Sequence, residues 1–123
     1  MAMLLTAHAG AQEESQTLTL SHGTMCESIE NFHPVFPAVV FSLSKEEIIC
    51  FTTFDPVPER THIFHNWYKK DRLVSRAKLT LHPPKWSSFS SMQLRNADKG
   101  PWRVDITDID DNILQTLRFS ISD

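Results

Sequence analysis

Three histidines, His62, His65 and His82, carry the residue type most often used for metal ligation and proton transfer. The first two fall in the run His62-Ile-Phe-His65-Asn-Trp67-Tyr68, which reads as a β-strand. Alternation with period two puts Ile63, His65 and Trp67 on one face, and His62, Phe64, Asn66 and Tyr68 on the other. His62 and His82 can then share an outer face near one end of a hairpin, while His65 points the other way. A three-histidine metal site conflicts with that pattern, and neither outer histidine sits in compact zinc-ligand spacing. His65 reads instead as a core histidine whose ring nitrogens must find hydrogen-bond partners. No metal or other cofactor is expected.

Nucleophilic chemistry finds equally little support. Ser87, Ser88, Ser90 and Ser91 are numerous but form no nucleophile elbow. Asp108-Ile-Asp110-Asp111-Asn112 lacks the register and terminal Glu of a calcium-binding loop, and there is no glycine-rich phosphate loop. An enzyme would have to bring at least two of His62, His82, Asp105 and Ser90 within reacting reach. The expectation is therefore a domain that is not an enzyme, with a hydrolytic or metal-dependent one as the minor alternative.

Recognition is the better-supported chemistry. Arg76, Lys78, Arg103 and Arg118 all have outward parity on inferred strands, as does Tyr68. If their strands share a sheet, they make a basic face suited to a carboxylate, a phosphate or a protein partner; a solvated strand face is the plain competing reading. Trp86 follows Pro83-Pro84-Lys85 at an element boundary and is a second aromatic candidate for carbohydrate, peptide or partner contact. Trp67 and Trp102 are expected as core anchors.

These residues need an all-β frame. Thr24 to Asn31 reads as a first core strand, and Ala38 to Leu43 as a second, reversed by the turn Ser44 to Glu47. Ile48 to Phe54 follows, ended by Asp55-Pro56. His62 to Tyr68 turns through Lys69-Lys-Asp71-Arg into Leu73 to Leu81, whose expected core row is Leu73, Ser75, Ala77, Leu79 and Leu81. Trp86 to Leu94 is a less regular strand, because Phe89 breaks the parity of Trp86, Met92 and Leu94. Trp102, Val104 and Ile106 alternate into the turn Asp108 to Asn112, and Leu117, Phe119 and Ile121 complete the inward pattern. Seven or eight short strands argue for an antiparallel two-sheet β-sandwich, immunoglobulin-like in general architecture, with a small β-barrel as second choice.

With 123 residues the chain has room for one modest domain, taken as residues 17–123. Its net charge of −3 hides a division: residues 1–59 carry eight acidic side chains against Lys45 alone, while residues 60–123 carry eleven basic and seven acidic ones. Nucleic acid is not an expected partner, since the interleaved aromatics read as core. Residues 1–16 are expected to be a flexible leader or signal-peptide remnant, because Ala7-x-Ala9 and Ala9-x-Ala11 fit the small-residue pattern before a cleavage site. That points outside the cytoplasm, to the periplasm or beyond, with a cytoplasmic domain as the alternative. No stretch approaches the ~20 apolar residues that span a bilayer. Under export Cys26 and Cys50 could pair; buried free thiols are the other reading.

The chain resembles the bacterial family catalogued as domain of unknown function number 2914, over roughly residues 24–122. The resemblance is carried by Cys26-Glu-Ser-Ile-Glu30, Ile49-Cys50-Phe51-Thr, His65-Asn-Trp67-Tyr68 before a charged turn, and Trp102-Arg-Val-Asp-Ile106 before Asp108-x-Asp110. It implies an all-β accessory domain, attached in many members to membrane-associated or exported proteins, with no established activity. Asp71 and Asp111-Asn112 stand at turns where the family commonly has a glycine. Together these features lead to a non-enzymatic interaction or ligand-recognition domain, with a purely structural domain as the close alternative. The partner expected is a protein, a carbohydrate or an anionic small ligand.

Overall fold

The computed structural model describes residues 16–123, so the expected leader lies outside the described residues apart from Gln16. Nine strands follow: β1 (Leu20–Glu30), β2 (His33–Pro37), β3 (Val40–Ser42), β4 (Glu47–Phe54), β5 (Thr61–Lys69), β6 (Arg72–Leu81), β7 (Trp86–Gln93), β8 (Gly100–Thr107) and β9 (Ile113–Ser122). They form a four-stranded sheet in the order β2-β1-β4-β7 and a five-stranded sheet in the order β3-β9-β8-β5-β6. Every pairing is antiparallel except β3 with β9, which is parallel. No helix among the described residues is long and apolar enough to cross a membrane.

Both sheets contribute to one apolar core. Met25, Ile48, Cys50 and Phe54 enter it from the four-stranded sheet, and Ile63, Trp67, Leu81, Trp102, Val104, Ile106 and Phe119 from the five-stranded sheet. Phe119 is the hub of an aromatic group, stacked on Trp102 at 6.2 Å and meeting Trp67 and Phe41 edge-on at 6.1 and 6.2 Å. Gly23 faces inward on β1, where an added Cβ would lie 2.8 Å from Gln115 Oε1. The sheets approach closely there because β1 carries no side chain at that point.

The turns follow the local chemistry. Lys70 and Asp71 both take positive φ in the β5–β6 turn, a conformation that Asp tolerates better than most residues. Asp108 Oδ1 accepts the backbone N–H groups of Asp110 and Asn112, each at 2.9 Å, which closes the β8–β9 turn without glycine.

Several expectations are corrected. The strands number nine instead of seven or eight, because His33–Pro37 is itself a strand. Its prolines are admitted because β2 is the edge of its sheet and has a ladder partner on one side only. The stretch from Ala38 to Leu43 makes no hairpin with the next strand; only Val40–Ser42 is extended, and it crosses to the other sheet to pair with Ser120–Ser122. Phe41 alone is buried there, so one inward side chain decides the placement. In β6 a bulge shifts the register: Trp67 pairs with Ser75 but Tyr68 with Leu73. Leu73 thus leaves the expected core row and is 49% exposed.

The cysteines do not pair. Cys50 packs in the central core, whereas Cys26 lies in a separate cluster with Ile49 and Phe51 on the opposite face of the sheet. Adjacent strand positions send side chains to opposite faces, and Cys50 stands across from Met25, one residue off from Cys26. Burial pushes both thiols upward in pKa. The tip of the β1–β2 hairpin, Phe32-His33-Pro34, shares a hollow with His22, Phe51, Thr53 and Ser87, so this hairpin curls over the outward row of β4.

The charge division along the chain survives in the fold. β1, β2 and β4 carry Glu27, Glu30 and Glu47 with no lysine or arginine, while β5, β6, β8 and β9 carry Lys69, Arg72, Arg76, Lys78, Arg103 and Arg118 against Asp105 alone.

Two outcomes are expected from this packing. Replacing Phe119 with Ala should lower the unfolding free energy by about 3–5 kcal/mol in urea titrations, since three aromatic neighbours lose their common partner. Thiol titration of the native protein with a colour-forming disulfide reagent should leave Cys26 and Cys50 unreacted until denaturant is added.

Candidate functional site

The outward rows of the five-stranded sheet assemble the basic candidates. Cross-strand partners share a face, so one row runs Leu73–Tyr68–Arg103–Arg118 and the next Arg76–Asn66–Asp105–Thr116. Lys78 stands opposite Phe64 in the row beyond. Tyr68, Arg76, Lys78, Arg103 and Arg118 therefore occupy one surface.

Their electrostatic states differ. Arg103 lies 4.2 Å over the Tyr68 ring, is ion-paired to Asp71, and has its Nε 3.5 Å from Asp105 Oδ2. Asp105 is held in turn by the Thr116 hydroxyl at 2.8 Å. Arg76 stacks on Phe64 at 3.8 Å and reaches Asp111 at 3.4 Å. Arg118 sits directly across from Arg103 and makes no ion pair among the described residues. Like charges in directly opposed positions destabilise a strand pair, and Asp71 and Asp105 offset only the Arg103 member of this one. Tyr68, Lys70, Asp71, Pro101, Arg103 and Arg118 line a depression of about 180 Å³ there.

A larger cleft of about 550 Å³ opens beside it, between the β5–β6 turn and the segment linking β7 to β8. Lys69, Lys70, Arg72 and Arg95 ring it, and Leu73, Val74 and Trp102 supply apolar lining. The Lys69 ammonium donates to the Ala97 carbonyl, and the Trp102 indole N–H donates to the Asp98 carbonyl at 2.7 Å, so the linking segment is fixed from two sides. Gly100 follows it with φ +121°, a conformation open to glycine. None of these four cations is among the site residues expected from the sequence. The cluster Lys69-Lys70-x-Arg72 is the available signal, in a stretch that reads as a charged turn between two strands.

Trp86 is elsewhere. It belongs to β7 in the four-stranded sheet, is 39% exposed, and lines a separate hollow with Phe32, Lys85 and Ser87. His82 packs on it at 4.5 Å, whereas His62 packs on Phe64 at 5.3 Å. His62 and His82, the two histidines of outward parity, thus have separate aromatic partners. Among the described residues no group of three or more His, Cys, Asp or Glu side chains gathers in metal-binding fashion.

His65 is fully buried and bridges the sheets. One ring nitrogen, Nδ1, lies 2.7 Å from Ser90 Oγ on β7; the other, Nε2, lies 3.1 Å from Thr52 Oγ1 on β4. The Trp67 indole N–H also donates to Ser90 Oγ, at 3.1 Å. A serine hydroxyl beside an imidazole is the start of a nucleophile–base pair, but the surroundings serve a different end. Among the described residues no carboxylate orients the ring, and Thr52 occupies that position. Desolvation lowers the imidazole pKa from 6.5 to about 4, which makes it a weak base at neutral pH. Either neutral tautomer satisfies both ring nitrogens with the two hydroxyls.

Two mainly antiparallel sheets over a shared core, with several lysines and arginines at one end of the five-stranded sheet, define this as a small β-rich domain. The family model described as protein of unknown function (DUF2914) matches residues 60–121, half of the chain, and the chain belongs to that family. The match covers β5 through nearly all of β9, and with them the whole Tyr68–Arg103–Arg118 row. No curated protein matches the chain.

The buried imidazole carries a pH dependence. In the unfolded chain His65 takes up a proton near its ordinary pKa of 6.5, whereas in the native state it resists until about pH 4. The unfolded state therefore binds more protons between those values. Stability is full above pH 6.5 and declines as pH falls toward 4, by about 3 kcal/mol in all. His65→Gln, which keeps one donor and one acceptor but does not titrate, should remove that slope from urea midpoints across this range. Equal slopes in both proteins would rule the account out.

Proposed function

We propose that this is a non-enzymatic accessory recognition domain of a bacterial exported or membrane-associated system, binding anionic groups at the β5–β6 end of its five-stranded sheet. The observation that carries the reading is Arg118, opposed to Arg103 and lining one depression with Tyr68, with no counter-ion among the described residues. Arg103 is already neutralised by Asp71 and Asp105, so it positions the aromatic ring while Arg118 and Lys70 remain for the ligand. The depression has the size for a carboxylate or phosphate group, on a small molecule, an anionic saccharide or a protein. Two sheets meeting in one core support a sandwich, immunoglobulin-like in general layout, as the frame. The extracytoplasmic assignment rests on the small-residue pattern from Ala7 to Ala11.

Citrate is a suitable probe. Calorimetry or NMR titration should show binding that weakens as salt rises, and Arg118→Ser should reduce the affinity by about tenfold, the equivalent of ~1.4 kcal/mol for one lost charge-assisted contact. Stability should stay within ~0.5 kcal/mol, as expected of a surface position. Affinity unchanged in the variant, or no binding by the native protein at millimolar citrate, overturns the reading.

A further inference from the structure

Among the described residues the five-stranded sheet ends on β6, a strand of ten residues that pairs with β5 on one side and with no strand on the other. Residues Arg72 to Arg76 and Lys78 are all exposed. A long open edge presents a row of backbone donors and acceptors ready to pair with another extended chain. Neither proline nor glycine interrupts it. The bulge at Val74 lies near the turn, so the register from Ser75 to Leu81 is regular.

The side chains along this edge differ by face. Outward stand Arg76 and Lys78; inward stand Ser75, Ala77 and Leu79, small or apolar and only partly covered from Ala77 onward. At its start the edge runs into the cleft ringed by Lys69, Lys70, Arg72 and Arg95, with Leu73, Val74 and Trp102 lining it. An incoming strand that alternates acidic and apolar residues matches both faces at once. Its acids would meet Lys78, which makes no ion pair among the described residues, and would take the place of Asp111 on Arg76, while its apolar side chains would extend the row of Ala77 and Leu79.

We propose that β6 is a docking edge for an extended acidic segment of a partner protein, which adds to the five-stranded sheet as a further strand. This extends the anion-recognition reading from the Arg118 depression to the neighbouring edge. A second copy of this chain is the wrong occupant, because self-pairing of β6 sets its cations against one another: antiparallel pairing centred on Ala77 opposes Arg76 to Lys78.

The test uses a peptide of alternating Glu and Val matching the ten residues of β6. Two further versions carry N-methyl groups on alternate amides, in one case those of the glutamates, in the other those of the valines. Strand addition directs one set of amides toward β6 and the other set to solvent. One methylated version should bind like the parent, and the other should lose about tenfold or more, because several backbone hydrogen bonds go together. Amide exchange across residues 72–78 should slow in the complex. If both methylated versions bind as the parent does, charge alone holds the peptide; strand addition is overturned and anion recognition stands. If no version binds at millimolar concentration, the cations serve only to keep strands away, and the proposal falls whatever citrate shows. Concentration-dependent sedimentation of the protein alone, with β6 amides protected, would assign the edge to a second copy and equally overturn it. Loss of citrate binding alongside register-selective peptide binding would remove the Arg118 reading and leave this one.

Discussion

The hydrogen bonds from His65 to Thr52 and Ser90 cross from one sheet to the other through a core that is otherwise mostly apolar. Apolar contact is non-directional and would tolerate small slides of one sheet over the other. A ring with two fixed nitrogens does not, because a displacement leaves a buried polar group without a partner. The Trp67 N–H, donating to the same serine, ties the next inward residue of β5 to β7. With β5 held at two successive inward positions, the outward residues between and after them are placed as well. Asn66 and Tyr68 take their rows from that anchor, and Arg103 and Arg118 follow by pairing.

The division of charge is the second organising fact. Because the four-stranded sheet draws mainly on the acidic first half and the five-stranded sheet on the basic second half, the chain folds without averaging its charges. The family match covers four of the five strands of the basic sheet, together with β7 of the other. Its acids lie close to specific arginines: Asp71 and Asp105 to Arg103, Asp111 to Arg76. Such pairs neutralise some positions and leave others, notably Lys70 and Arg118, so the face is patterned and not uniformly positive.

Much of the second sheet was legible in the sequence, because period-two alternation is local. The faces of β5, the burial of His65, Trp67 and Trp102, and the short acids closing the β8–β9 turn all follow from neighbouring residues. What alternation cannot say is which sheet a strand joins. Ala38 to Leu43 has the composition of a hairpin partner, yet one buried phenylalanine takes it to the far sheet. Trp86 carries the same local signs as Tyr68 but lies on the opposite sheet. The bulge at Val74 is likewise invisible, since an extra residue in one strand shows only against its partner. The cleft cations carry no local sign, because a cleft needs two segments and Arg95 comes from a connection distant along the chain.

The parallel pair of β3 and β9 joins Val40–Ser42 to Ser120–Ser122, eighty positions along the chain. A ribosome releases the first of these strands well before the second exists. Until β9 emerges, Phe41 has neither its backbone partner nor the ring of Phe119 to rest on. The four-stranded sheet also waits, though less long, for β7 to flank β4. Synthesis therefore passes through a stage in which most of the apolar surface is made and the last strand to cover it is not. For a chain of this size that stage is the one most exposed to misassembly, and the one at which a chaperone would have most to hold.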